Sequence, residues 1–214
     1  MIDNYKKLNV SKYIELQNID IEGKEEVDIQ VNILSILYDM SEDEILELPI
    51  PEYKKLVVGS SFLTTPPTPY DKIPDTIIIN KKKYSVIKDI KKMSAGQYID
   101  YQNYIKDKSP KMLPFLLSCF LIPNGKKYGD GLEEVLEDIN NLSILDAISL
   151  SAFFLKKWES LTKATLIYLI WRMKWMMKKE KNPIVKEQMK IAVQKLTMLR
   201  NTIKDGVGLV GLLK

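Results

Sequence analysis

Apolar residues recur along this chain at the spacing of short helices, and prolines interrupt the pattern at several points. Val27, Val31, Leu34 and Tyr38 fall on one helical face, which predicts a helix over roughly 27–38. Ser41-Glu42-Asp43-Glu44 places a glutamate three residues after a serine, the spacing of a capping box. A short helix should therefore open there and run through Leu48, where Pro49 stops it. Pro51 starts another that runs to about Phe62. Ser11 and Ser94 each precede a Tyr-Ile-acid segment and are the expected N-caps, because a hydroxyl accepts the unpaired N–H groups of a first turn. Leu132 to about Asn140, and the residues from Ser143 onward, also read as helices.

The middle of the chain has a different texture. Thr64-Thr65-Pro66-Pro67-Thr68-Pro69-Tyr70 is too rich in proline to be helical and reads as an extended linker. Thr76-Ile77-Ile78-Ile79 and Tyr84-Ser85-Val86-Ile87, separated by Asn80-Lys81-Lys82-Lys83, read as a β-hairpin. Two strands alone are marginal in water, so the hairpin is expected to pack on the helices rather than pair with another chain's edge.

The helical blocks recur. Leu8-Asn9-Val10-Ser11-Lys12-Tyr13-Ile14-Glu15-Leu16-Gln17-Asn18 resembles Met93-Ser94-Ala95-Gly96-Gln97-Tyr98-Ile99-Asp100-Tyr101-Gln102-Asn103. Ile33–Leu37 matches Leu116–Phe120, Glu44–Glu47 matches Glu134–Glu137, and Phe62-Leu63 matches Phe154-Leu155. Colinear matches at a nearly constant offset point to a tandem duplication. The resulting fold class is mainly α: a helical unit at 1–63, a Pro-rich linker and β-hairpin at 64–92, a second copy of the unit at 93–155, a basic antiparallel helical hairpin at 156–205 and an apolar tail at 206–214.

In the helical hairpin, Trp158, Leu161, Thr165, Tyr168 and Trp171 share a face. Ile167, Leu169, Ile170, Met173, Met176 and Met177 extend the apolar surface nearly all round, as in a helix central to a core or an oligomer. After the break at Asn182-Pro183, the residues Val185, Met189, Ala192, Val193, Leu196, Leu199 and Ile203 form one stripe.

Charge is unevenly distributed. Residues 156–214 hold fourteen Lys and Arg against four Asp and Glu, net +10, whereas residues 1–155 are net −6. An acidic body and a basic arm can neutralise each other within one chain or stack copies head to tail. Trp171, Lys174, Trp175, Lys178, Lys179 and Lys181 interleave aromatic rings with ammonium groups, a pattern that can contact phosphates and stack bases. The plainer expectation is that the tryptophans are core and the lysines a solvated rim.

Chemistry is sparse. Histidine is absent, which removes the commonest general base, the Ser-His and Cys-His nucleophile systems and the usual metal ligand. Cys119 is the only cysteine, so neither an internal disulfide nor an ordinary zinc site is expected; a small buried apolar role is. Glu42, Asp43, Glu44 and Glu47, and Glu133, Glu134, Glu137 and Asp138, are expected to be solvated acids near helix starts rather than a carboxylate pair for catalysis. Gly125-Lys126-Lys127-Tyr128-Gly129-Asp130-Gly131 lacks the order of a phosphate loop and is expected to join two helices without a preceding strand. The run Ala164–Trp171 is too short for a bilayer, and Met1-Ile2-Asp3-Asn4 does not open a secretory leader. The expectation is a protein that is not an enzyme, with no cofactor and no metal, in a reducing compartment.

Three segments carry a family likeness. Ile77–Val86, Met93–Asp100 and Phe120–Tyr128 resemble small proteins encoded beside structural genes in tailed phages of Bacteroidetes hosts, including crAss-like phages. Some of those are tail assembly chaperones and others are virion proteins, including cargo ejected with the genome. The resemblance covers roughly Thr76 to Leu155. It implies a virion or assembly protein, found in the particle or in the host cytoplasm during assembly, with tail, portal or capsid proteins and its own copies as partners. A nucleic-acid-binding accessory protein using the basic arm is the alternative.

Overall fold

The structure, a computed structural model, describes residues 2–107 and 109–204, without the side chains of residues 158–159, 161–162 and 202–204. The apolar tail at 206–214 lies outside the described residues, as do the side chains of Trp158, Leu161 and Ile203. The chain falls into two compact units, Met1–Phe153 and Phe154–Lys214.

The first unit is mainly helical around one small antiparallel sheet. Its helices are α1 (Val10–Gln17), α2 (Glu26–Tyr38), α3 (Glu42–Leu46), α4 (Ile50–Ser60), α5 (Ala95–Tyr104), α6 (Leu113–Ser118), α7 (Leu132–Asn140) and the start of α8 (Ile144–Lys179). The capping boxes at Ser41 and Ser94 form, with Glu44 and Gln97 reaching back to the cap N–H groups. Ser11 is not a cap. Asn9 takes that place and its side chain accepts from the Lys12 N–H at 2.9 Å, while Ser11 lies inside the helix and donates to Glu15. The helix starts two residues earlier than expected because asparagine is as good a cap as serine.

α2, α3 and α4 close over Val31, Leu34 and Ile45, with Tyr38, Met40, Tyr53, Leu56 and Val57 packed round them. Val27, expected on the same face, is exposed, and Leu37 is buried in its stead. Lys12 Nζ reaches from α1 to the C-terminal end of α2, bonding the Leu37 carbonyl at 3.1 Å and pairing with Asp39 at 2.6 Å. A cation there offsets the partial negative charge of the helix end. A short bridge, Asn9 to Ser143, ties the start of α1 to the α7–α8 junction through Val10 N–H to Leu142 O and Ile144 N–H to Leu8 O.

The hairpin forms from β1 (Thr76–Ile79) and β2 (Lys82–Val86), with Ile79 opposite Lys82. The turn is only Asn80-Lys81, both with positive φ (49° and 65°), the two-residue geometry whose twist suits a hairpin. The expected two-stranded hairpin is extended to a three-stranded sheet. β3 (Leu121–Pro123) pairs antiparallel with β2 and supplies the support that two strands lack. The loop at Gly125–Gly131 therefore follows a strand, contrary to the helix-to-helix expectation, and leads into α7.

The first three repeated sequence blocks fall on helices in the same order, α1 and α5, α2 and α6, α3 and α7, but the fourth does not: Phe62-Leu63 lies in a 3-10 turn after α4, and Phe154-Leu155 lies within α8. Helix lengths diverge: α2 has 13 residues and α6 has 6.

The second unit contains the rest of α8 and α9 (Pro183–Lys204). Leu166 and Ile170 are buried and Met173 and Met177 half-buried, a stripe at four-three-four spacing. On α9, Val193 is buried and Val185, Met189, Ala192 and Leu196 are half-buried, following the expected stripe, but Leu199 is exposed. Among the described residues, no helix is long and apolar enough to cross a membrane.

Candidate functional site

The outward side of α8 is built by the same apolar excess that fills its inner stripe. Ile167, Trp171, Lys174, Trp175 and Lys178 recur at helical spacing and share one face. Trp171 is 63% exposed and Trp175 49%. This corrects the expectation of core tryptophans rimmed by lysines. Among the described residues the unit holds one further helix, so a helix that is apolar on most sides keeps part of that surface in water. Thr165, Tyr168 and Trp171, expected to share one face of a helix central to a core or an oligomer, are all exposed.

Lysines frame the rings. Lys174, Lys178 and Lys179 are exposed, and Lys179 Nζ lies 3.7 Å from the centre of the Trp175 ring. That cation–π contact comes from the i, i+4 spacing and covers one face of the indole. Lys181 is exposed in the link between α8 and α9, off the helix face. The structure thus brings five of the six expected contact residues together on α8 and places the sixth just beyond it. On α9, Ile184, Ile191 and Met198 repeat every seven residues and are all exposed, giving that helix an outer apolar line as well.

A second cluster, not anticipated, sits in the first unit. Asp138 on α7 is buried. It accepts from Asn80 Nδ2 at 2.8 Å, Lys82 Nζ at 2.8 Å and the Tyr84 hydroxyl. Lys82 also pairs with Glu134 at 2.8 Å, and Glu134 with Lys126 at 2.8 Å. Burial pushes the Asp138 carboxyl up, but the hydrogen bonds from Lys82, Tyr84 and Asn80 outweigh it and hold it below the ordinary value. The ammonium groups of Lys126 and Lys82 likewise lower Glu134. Asp138 is therefore not the solvated acid expected at that position. Its oxygens are occupied by donors from the hairpin, so it clamps β2 to α7 rather than serving as a base. The clue in the sequence was the alternation of Lys82 and Tyr84 on one strand face with an acid on the next amphipathic helix.

Cys119 is buried as expected, and its thiol lies 3.8 Å from the Tyr128 hydroxyl, which bonds Asp100 at 2.7 Å. Burial pushes the thiol up to about 12, so it is protonated and a poor nucleophile at neutral pH. In the glycine loop, Lys126 is engaged by Glu134 and the Lys127 N–H by Asp130, so acids occupy the places a phosphate would take.

Comparison with protein-family models, with curated proteins and with solved structures returned no match to this chain. The functional reading rests on the residues themselves.

Proposed function

We propose that this chain is a non-enzymatic virion or assembly protein of a tailed phage, working through protein–protein contacts made by the outward face of α8 and α9. The observation that carries the reading is the solvent-facing set Ile167, Trp171 and Trp175, framed by lysines. Monomers rarely leave contiguous apolar surface of this kind uncovered, and tryptophan is the residue type most enriched at binding hot spots. The phage context comes from the resemblance at Thr76–Leu155. It implies tail, portal or capsid proteins as partners, in the particle or in the host cytoplasm during assembly. The tandem blocks support descent from a duplicated short-helix unit, since they share an order along the chain.

Mass spectrometry of purified particles, with pull-down of tail and portal proteins, tests the reading. The chain should appear in particles or bound to one of those proteins; absence from both refutes it.

Nucleic-acid binding by the same face is the second reading, favoured by Lys174 between the tryptophans and Lys178 and Lys179 after them. It requires binding that weakens steeply with salt. Lys179 already covers one face of Trp175, which leaves a base only the other for stacking. A gel shift at low salt that shows no retardation removes this alternative.

A further inference from the structure

We infer that the outward face of α8 and α9 docks on the acidic α2–α4 surface of a second copy of this chain. The inference deepens the proposed function, since it rests on the same face making protein contacts, and it names the partner.

Residues 20–52 hold eleven Asp and Glu against a single Lys, net −10, and residues 156–214 are net +10. These are the two extremes of the chain, and they lie in different units. A second copy's arm is an unsuitable partner for the arm itself, because both are strongly basic.

Shape chemistry points the same way. The arm is apolar as well as basic, so it needs a surface that is apolar as well as acidic. Around α3, Leu46 is 64% exposed and Ile50 70%, and the exposed acids Glu42, Asp43 and Glu47 stand among them. The surface is firm: Val31, Leu34 and Ile45 pack beneath it, and Asn32 Nδ2 holds Glu42 at 2.9 Å. The other acid-rich helix, α7, is a poorer target. Its Glu134 and Asp138 are already neutralised by Lys126 and Lys82. A nucleic-acid backbone would match the lysines and leave Ile184, Ile191 and Met198 unsatisfied.

Such a contact joins two different surfaces. Association through it closes as a reciprocal dimer or a larger ring, or continues as an open chain.

Sedimentation velocity of the nuclease-treated full chain tests this. At about 50 mM salt the weight-average mass should climb with concentration above the 24.7 kDa of one chain, and it should return to one chain at about 500 mM. Lys174→Glu/Lys178→Glu inverts two charges beside the exposed tryptophans and takes the arm from net +10 to +6, and Asp43→Lys/Glu47→Lys inverts two beside Leu46 and takes the acidic face from −10 to −6. All four positions are exposed, so both variants should melt as the wild type does. Each variant alone should stay at one chain, with association weakened at least about tenfold. An equimolar mixture should associate more tightly than either variant alone, because the inverted positions of one variant are opposite in charge to those of the other. A wild type that stays at one chain, association unchanged by salt, or an acidic-face variant that associates like the wild type would each overturn the inference. The measurement uses no tail or portal protein, so its failure leaves the proposed contacts with those components standing.

Discussion

Lys82 Nζ lies 2.8 Å from Asp138 Oδ2, joining the end of the hairpin turn to the second turn of α7. The pair is asymmetric, with the carboxylate buried and the lysine partly in water. Replacing Asp138 by alanine leaves the buried Tyr84 hydroxyl without its acceptor and should cost about 2–4 kcal/mol. Chemical denaturation of the variant against wild type measures it, and a loss below about 0.5 kcal/mol would show the clamp to be idle.

The same carboxylate sets a pH dependence. Its folded-state value is depressed, so the stability it contributes is fully present above the ordinary value of 3.8 and is lost as pH falls through the lower folded value. Asp138→Asn should flatten the acid limb of the stability profile. An unchanged limb would assign acid unfolding to other groups.

Cys119 makes the opposite prediction. Its thiol is raised from 9.0 to about 12 by burial, so stability from this group is intact below pH 9 and declines as pH rises beyond it. At pH 8 iodoacetamide should modify the folded protein at least about tenfold more slowly than the unfolded chain. Equal rates would contradict the burial.

Lys81 holds φ at 65° in a two-residue turn, a conformation costly for a side chain and easy for glycine. Lys81→Gly should therefore stabilise the protein by about 0.5–1 kcal/mol, a rise in Tm of about 1–4 °C. A lower Tm would mean that the lysine itself makes a needed contact.

The two stripes of α8 should separate stability from binding. Ile170→Ala removes a buried side chain and should cost about 2–4 kcal/mol. Trp171→Ala and Trp175→Ala alter exposed rings and should change stability by less than about 1 kcal/mol while abolishing partner capture. Thermal melts alongside pull-down of particle proteins read both effects.

Much of the helical architecture was legible because it depends on local rules. The capping box at Ser41, the N-cap at Ser94 and the span Leu132–Asn140 follow from spacing alone. Two things were hidden because they depend on partners distant in sequence. β3 is three residues long inside an apolar run, and only its pairing with β2 distinguishes it from helix. Asp138 looks like a solvated helix acid until the hairpin, 54 residues earlier at Tyr84, is folded against it. The interleaved tryptophans and lysines of 171–181 could be grouped from sequence, but their exposure could not. Periodicity shows which residues share a face; the number of neighbouring helices decides whether that face is covered.

The account's central claim is that the outward face of α8 exists to hold protein. The most direct measurement is quantitative mass spectrometry of nuclease-treated particles carrying either the wild-type chain or Trp171→Ala/Trp175→Ala. Wild type should be incorporated at a fixed ratio to the tail and portal proteins, and the variant should be lost from particles while melting at nearly the same temperature. Equal incorporation of both chains would contradict the claim.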